Sequence, residues 1–245
     1  MRCYAVLSDL HGNLFAFKQV LQDMKQFDIE AVILLGDLVD YGMQSNEVVS
    51  LIRDRDAFPY DILCNLRGNH EQAILCEDYT RFSSERGVES AKHTAKQLTS
   101  ETWCYLERDL TPEGKLEFAL DGKRCLAVHG SLEDPYWKAI APDNVRGDYA
   151  AYDVVFSGHS HYAHVFTKFY EADDPLRRGK HAVLFINPGS VGQPRDHIPQ
   201  ARYALWDTDT MTVSLRAVPY DIQAAMAIYD GSVDTFYRDR LQYGV

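Results

Sequence analysis

Five apolar runs in this chain each stop at a residue type that binds metals, and that repeated junction restricts the fold more than any other feature. Residues 3–8 (CYAVLS) end at Asp9 and 31–35 (AVILL) at Gly36-Asp37. Residues 62–66 lead into Arg67-Gly68-Asn69-His70, 125–128 into His129, and 154–156 into Gly158-His159. Short, nearly unbroken apolar runs of this kind read as strands buried on both faces in an α/β sheet. In open α/β sheets ligands gather beyond the carboxyl ends of the strands. The pattern therefore predicts one polar site, assembled by several loops along one sheet edge.

The residues at those edges are Asp9-Leu10-His11, Gly36-Asp37-Leu38-Val39-Asp40, Gly68-Asn69-His70-Glu71, His129-Gly130 and Gly158-His159-Ser160-His161. Any one of them is common; their order along one chain is not. Oxygen donors (Asp9, Asp37, Asn69) interleaved with imidazoles (His11, His129, His159, His161) suit Mn, Fe, Ni, Co or Zn better than Mg or Ca, which prefer oxygen shells. In D-x-H and H-x-H the two candidate donors lie two residues apart, on the same side of an extended chain.

These motifs resemble the calcineurin-like metallophosphoesterase superfamily over nearly the whole chain. The resemblance implies a four-layer α-β-β-α sandwich of two mixed β-sheets. It also implies two divalent transition-metal ions: Asp9, His11 and His161 on the first, Asn69, His129 and His159 on the second, and Asp37 bridging both. His70 resembles the family's unligated catalytic histidine and Asp40 the acid that orients it. Two cations about 3.5–4 Å apart suit in-line displacement at phosphorus by a metal-bridging hydroxide, and a carboxylate-held histidine suits protonation of the departing oxygen.

The element Asn187-Pro188-Gly189-Ser190-Val191-Gly192-Gln193-Pro194-Arg195 is similar to one in the small prokaryotic, phosphodiesterase-type members, as is the tail beginning Pro219-Tyr220-Asp221. A small phosphodiester is therefore the expected substrate, with Arg195 near its phosphate or, equally, a loop that only reverses the chain. Arg67 either adjoins the substrate or braces its own loop. Glu71 is expected to favour the first turn of a helix through its charge. Leu66 to Glu71 (LRGNHE) and Gly36 to Gly42 (GDLVDYG) also resemble the Ser/Thr protein phosphatase and diadenosine tetraphosphatase branch, which makes a phosphomonoesterase the alternative. That branch carries a phosphate-gripping arginine where this chain has Tyr41, and tyrosine cannot replace its bidentate contact. A non-catalytic scaffold with the same fold is the other alternative, and retention of all seven candidate ligands and His70 argues against it.

A chain of 245 residues, 46% hydrophobic and without a dividing linker, predicts a single domain over 1–245. Asn13 caps a predicted helix bearing Leu14, Phe17, Leu21 and Met24, and 44–53 forms the next; a mostly helical insertion follows at about 71–109. Residues 171–180 read as a solvated hairpin connection. The net charge of −11 argues against an extended nucleic-acid surface, so the expected partner is a small phosphate ester; oligomeric state is not legible. Five cysteines without a C-x-x-C pattern, no membrane-length apolar segment and a first strand that follows Met1 directly point to a cytoplasmic protein. Cyclic nucleotides, small diesters, dinucleoside polyphosphates and monoesters all stay open as substrates. His93, His164, His181 and His197 fall outside every motif and are read as ordinary surface or core residues.

Overall fold

The computed structural model of the chain describes residues 2–173 and 175–245; Met1, expected to run directly into the first strand, and Asp174 of the expected 171–180 connection lie outside the described residues. The strands pair into two five-stranded sheets. In the first, β1 (Cys3–Leu7), β2 (Ile29–Leu34) and β3 (Asp61–Asn65) are parallel, while β9 (Ala201–Asp207) and β10 (Thr212–Val218) extend it antiparallel. In the second, β5 (Lys123–Val128), β6 (Val154–Ser157) and β8 (Lys180–Asn187) are parallel. Its antiparallel edges are β4 (Lys115–Leu120) and β7 (His164–Glu171).

Side chains alternate faces along a strand, and both faces of the central strands are buried here. Tyr4, Val6, Ala31, Ile33, Ala204 and Trp206 of the first sheet meet Cys125, Ala127, Val154, Phe156 and Ile186 of the second in one dry layer. The opposite face of the first sheet, with Ala5, Leu7, Val32 and Leu34, packs under helices. These are α1 (Leu14–Met24), α2 (Ser45–Arg53), α3 (Asn69–Cys76), α4 (Glu85–Gln97), α5 (Ser100–Arg108), α6 (Ile222–Ala227) and α7 (Thr235–Tyr243), and each places at least one residue in that layer. In α1 the predicted stripe is buried and the Asn13 side chain accepts the Ala16 N–H at 3.0 Å, which satisfies one of the first-turn donors.

The α/β architecture of two mixed sheets is the expected one, and its fourth layer differs from the expected helices. On the outer face of the second sheet, Leu126, Val128, Val155, Val183 and Phe185 are covered by Ile140, Tyr149 and Tyr152, and no helical residue takes part. Tyr149 fills this role because its hydroxyl is satisfied within the same coil, accepting Leu132 N–H at 2.9 Å and donating to Arg146 O at 2.7 Å. The 71–109 segment supplies α3, α4 and α5 between β3 and β4. No helix among the described residues is long and apolar enough to cross a membrane.

The ladders extend past the strands into the loops that carry the candidate site. The Leu7–Leu34 register continues as Asp9 N–H to Gly36 O (3.0 Å), His11 N–H to Asp37 O (2.9 Å) and Gly12 N–H to Leu38 O (3.0 Å). Within the second sheet Gly158 N–H reaches His129 O at 2.9 Å, and across the sheets Gly192 N–H reaches Asp9 O at 3.0 Å and His159 N–H reaches the Asp9 carboxylate at 3.2 Å. Five loops are thereby stitched into one surface.

Candidate metal centre

Seven of the sequence-selected residues, Asp9, His11, Asp37, Asp40, Tyr41, His159 and His161, have φ between 45° and 74°. Left-handed backbone is uncommon for residues with a Cβ, although Asp and His tolerate it better than most, and each instance costs on the order of 1–3 kcal/mol. Such strain persists only where surrounding structure over-determines it. Here the buried strands beneath hold it, with each large apolar side chain contributing roughly 1.5–3 kcal/mol. The turns aim side chains that an ordinary extended exit would direct elsewhere. Gly68 is needed for a different reason: a Cβ there would fall on the Asp37 carboxylate.

The structure gathers two groups of donors. In the first, Asp9 Oδ1 lies 3.3 Å from His161 Nε2 and 3.9 Å from His11 Nε2, and the two Nε2 atoms are 3.2 Å apart. The other ring nitrogens donate to backbone: His11 Nδ1 to Val39 O (3.2 Å) and His161 Nδ1 to Gln193 O (2.5 Å). With both protons committed there, two Nε2 lone pairs and Asp9 Oδ1, which is buried without a hydrogen-bond partner, converge on one point. Lone pairs held face to face without a shared proton repel unless a cation lies between them. The donor set therefore fits a borderline divalent metal.

In the second group, Asn69 Oδ1 lies 3.0 Å from His129 Nε2 and 2.9 Å from His159 Nδ1, and His129 Nε2 is 3.3 Å from Asp37 Oδ2. His129 Nδ1 donates to Leu35 O at 2.7 Å, which again turns the other nitrogen, Nε2, inward. Asp37 Oδ2 also lies 3.8 Å from His11 Nε2, so this carboxylate faces both groups. Burial pushes His11 and His159 down to about 3 and His161 well below its ordinary value, so these imidazoles are neutral at pH 7, as a metal ligand must be. Burial also works against charge on His129, but the Asp37 carboxylate outweighs it and raises this histidine to about 9. A proton stands in there for the positive charge that the carboxylate calls for.

His70 and Asp40 form a separate pair. His70 Nδ1 lies 2.6 Å from Asp40 Oδ2, and Asp40 Oδ1 accepts Ser90 Oγ–H (2.6 Å), Thr94 Oγ1–H (3.0 Å) and Tyr41 N–H (2.7 Å). Ser90 and Thr94, four apart on α4, are neighbours of this pair that sequence reasoning missed. The i, i+4 spacing that puts them on one helix face was the available signal. Burial disfavours the charged forms, yet the Asp37 carboxylate and then Asp40 outweigh it on His70, which is raised, and the bond to His70 with its charge outweighs it on Asp40, which is lowered.

Glu71 does more than favour a helix start. Fully buried, its carboxylate accepts N–H groups from Asp37 (2.9 Å), Leu38 (2.6 Å), Val39 (3.1 Å) and Gly68 (2.8 Å), fixing the loop that presents Asp37 and Asp40. Glu71→Gln turns an amide NH2 toward donors that need an acceptor. It is expected to cost about 2–4 kcal/mol, the penalty of one or two buried unsatisfied groups. A urea midpoint unchanged at constant slope would remove Glu71 from this role.

The remaining sequence-selected residues separate. Tyr41 is buried against His11 and His70 (ring centroids 4.6 and 4.5 Å) and stacks on Tyr237 of α7 at 4.3 Å. Arg195 and Tyr41 line the same cavity of about 460 Å³ as Asp37, Asn69, His70, His159 and His161. Arg195 Nε is buried without a partner, and no carboxylate among the described residues lies within ion-pair distance of its guanidinium. Arg67 turns away, toward Gln72 Oε1 (3.2 Å) and Leu106 O (3.4 Å), and is not part of the cavity lining. The 187–195 turn also braces the site: Ser190 Oγ–H donates to Asp9 O (2.7 Å) and Asn187 Nδ2–H to Gly158 O (3.0 Å).

Comparison with known proteins adds a family. A calcineurin-like phosphoesterase superfamily domain matches residues 1–211. An uncharacterized protein of Methanocaldococcus jannaschii is 34% identical over 227 residues, covering 90% of this chain and 89% of the relative. The solved metallophosphoesterase of Sphaerobacter thermophilus superposes with a TM-score of 0.75 at 28% identity, covering 99% of this chain and 100% of the other. A hypothetical protein of Pyrococcus horikoshii OT3 shares the fold with a TM-score of 0.81 at 24% identity, covering 100% and 99%.

Proposed function

The chain belongs to the calcineurin-like phosphoesterase superfamily, and from that premise we propose that it hydrolyses a small phosphodiester using two divalent transition-metal ions. The observation that carries the reading is the pair of buried donor groups that share Asp37: in the first, two unprotonated imidazole nitrogens converge with the partnerless Asp9 Oδ1, and in the second His129, His159 and Asn69 converge beside the Asp37 carboxylate. Asp9, His11 and His161 would hold one ion and Asn69, His129 and His159 the other. When bound, such ions supply a nucleophile at neutral pH and neutralise charge on the phosphoryl oxygens. His70, held by Asp40, carries the proton for the departing oxygen. The unpaired Arg195 guanidinium grips the phosphoryl group. On this reading residues 1–245 act as one cytoplasmic catalytic domain in which α3, α4 and α5 support the site.

The preference for a diester rests on Tyr41. A monoester dianion gains most from added cationic grips, whereas a diester carries one charge. Burial pushes the Tyr41 phenol further up, so it stays a neutral hydroxyl and adds no cation. An aryl phosphodiester is expected to show higher kcat/KM than the matching monoester in the metal-loaded protein. Tyr41→Arg is expected to move the ratio toward the monoester, provided the arginine can displace the Tyr237 stack. A wild-type preference for the monoester by about tenfold, roughly 1.4 kcal/mol, would return the phosphomonoesterase reading to first place.

A further inference from the structure

The cavity that holds the candidate chemistry is far larger than a phosphoryl group needs. Its volume of about 460 Å³ falls in the range of small-molecule sites, roughly 300–1,000 Å³, and the space beyond the donors has a chemistry of its own. Phe82 and Trp137, both partly exposed, stand in its lining. Phe82 meets His70 edge-on at 5.1 Å between ring centroids, Trp137 meets Phe82 at 5.2 Å, and Trp137 lies 6.4 Å from His159. The two rings thus form a continuous wall from the candidate proton donor to the second donor group.

Two basic residues on that wall are each already paired with a carboxylate. Arg81 is paired with Asp134 (2.6 Å) and sits 5.4 Å over the Trp137 ring, and Lys138 is paired with Glu133. They hold the wall in place; Glu133 is shared with Arg146 at 3.3 Å, so the net charge left there lies on partly exposed side chains already engaged with a carboxylate. What remains beside the phosphoryl position is aromatic surface, and it begins at His70, where the leaving oxygen is protonated.

We propose that Phe82 and Trp137 form a subsite for a flat aromatic ring carried by the substrate's leaving alcohol, either a nucleobase or an aryl group. This rests on the phosphoesterase reading above. A ring stacked on the wall remains attached to the oxygen that His70 protonates, and the Arg195 guanidinium is left to the phosphoryl group. A purely aliphatic ester leaves the same wall wet.

The test uses the full-length, metal-loaded protein turning over bis(p-nitrophenyl) phosphate, with inhibitors in two matched pairs. Adenosine 5′-monophosphate is compared with ribose 5-phosphate, and phenyl phosphate with methyl phosphate. In at least one pair the ring-bearing member is expected to inhibit about tenfold more tightly, the order of a base–aromatic stack, and the pair that does so identifies the ring. Trp137→Ala should bring that ratio to within about twofold of unity with metal content unchanged. Trp137→Phe, which keeps a flat ring, should retain most of it and guards against a merely unfolded variant. Ratios near one in both pairs for an active wild type, or a ratio unchanged in Trp137→Ala, overturn the subsite and leave the phosphoesterase reading standing. A wild type that binds no metal and turns over no phosphoester overturns both.

Discussion

Asp37→Ala is expected to remove both metal ions and measurable turnover together. Asp37 Oδ2 lies 3.3 Å from His129 Nε2 and 3.8 Å from His11 Nε2, so one carboxylate faces donors of both groups. Without it, Asp9 is the only carboxylate left among the seven candidate ligands, and two dications would have to share a single compensating charge. Its loss should lower activity by on the order of 10³ or more, several kcal/mol of the charge stabilisation that metal ions provide. Alanine also frees the His70 N–H that Asp37 Oδ1 accepts at 2.9 Å. Asp37→Asn, which keeps an oxygen for that bond, separates metal loss from local unfolding. Elemental analysis should find about two ions per wild-type chain and fewer than one in either variant. Two ions retained by Asp37→Ala would sink the shared-carboxylate reading, and a fully loaded wild type with a single ion would sink the two-metal one.

What the sequence made legible here was local chemistry joined to a periodic pattern. The strands ending at Asp9, Asp37, Asn69, His129 and His159 could be read because an apolar run and its terminal donor are adjacent in the chain. Asn13 and the α1 stripe were readable for the same reason. Glu71 was not: its first-turn position is visible, but three of its four backbone partners lie 32 to 34 residues away. Ser90 and Thr94 likewise meet Asp40 across 50 and 54 residues, and their i, i+4 spacing marks only a shared helix face, not the carboxylate it meets. Phe82 and Trp137 sit in coil with no periodicity to place them. The coil cover of the second sheet was missed because residues 129–153 bury Ile140, Tyr149 and Tyr152 singly rather than as a stripe. The left-handed turns at Asp9, His11, Asp37, His159 and His161 are backbone states imposed by the assembled loops, which residue identity alone does not announce.

Replacing His70 by asparagine is expected to separate binding from chemistry. The Nδ1 atom is held 2.6 Å from Asp40, whose other oxygen is fully occupied by Ser90, Thr94 and the Tyr41 N–H, so the ring cannot swing without breaking a buried network. That leaves Nε2 in the cavity, 4.0 Å from Asp37 Oδ2. Two roles compete for that nitrogen, because His70 also lies close enough to His11 and Asp37 to join a metal site. The proton-donor role predicts that His70→Asn keeps both ions while kcat falls by roughly 10²–10⁴, the usual worth of a positioned acid. The ligand role predicts that metal is lost with activity. Leaving-group dependence gives a second reading that metal content does not share. For a p-nitrophenyl ester the departing oxygen needs little protonation and the defect should shrink; for an alkyl ester it should be largest. A defect equal for both leaving groups, with two ions still bound, would take His70 out of the proton transfer and leave Asp40 organising the loop alone.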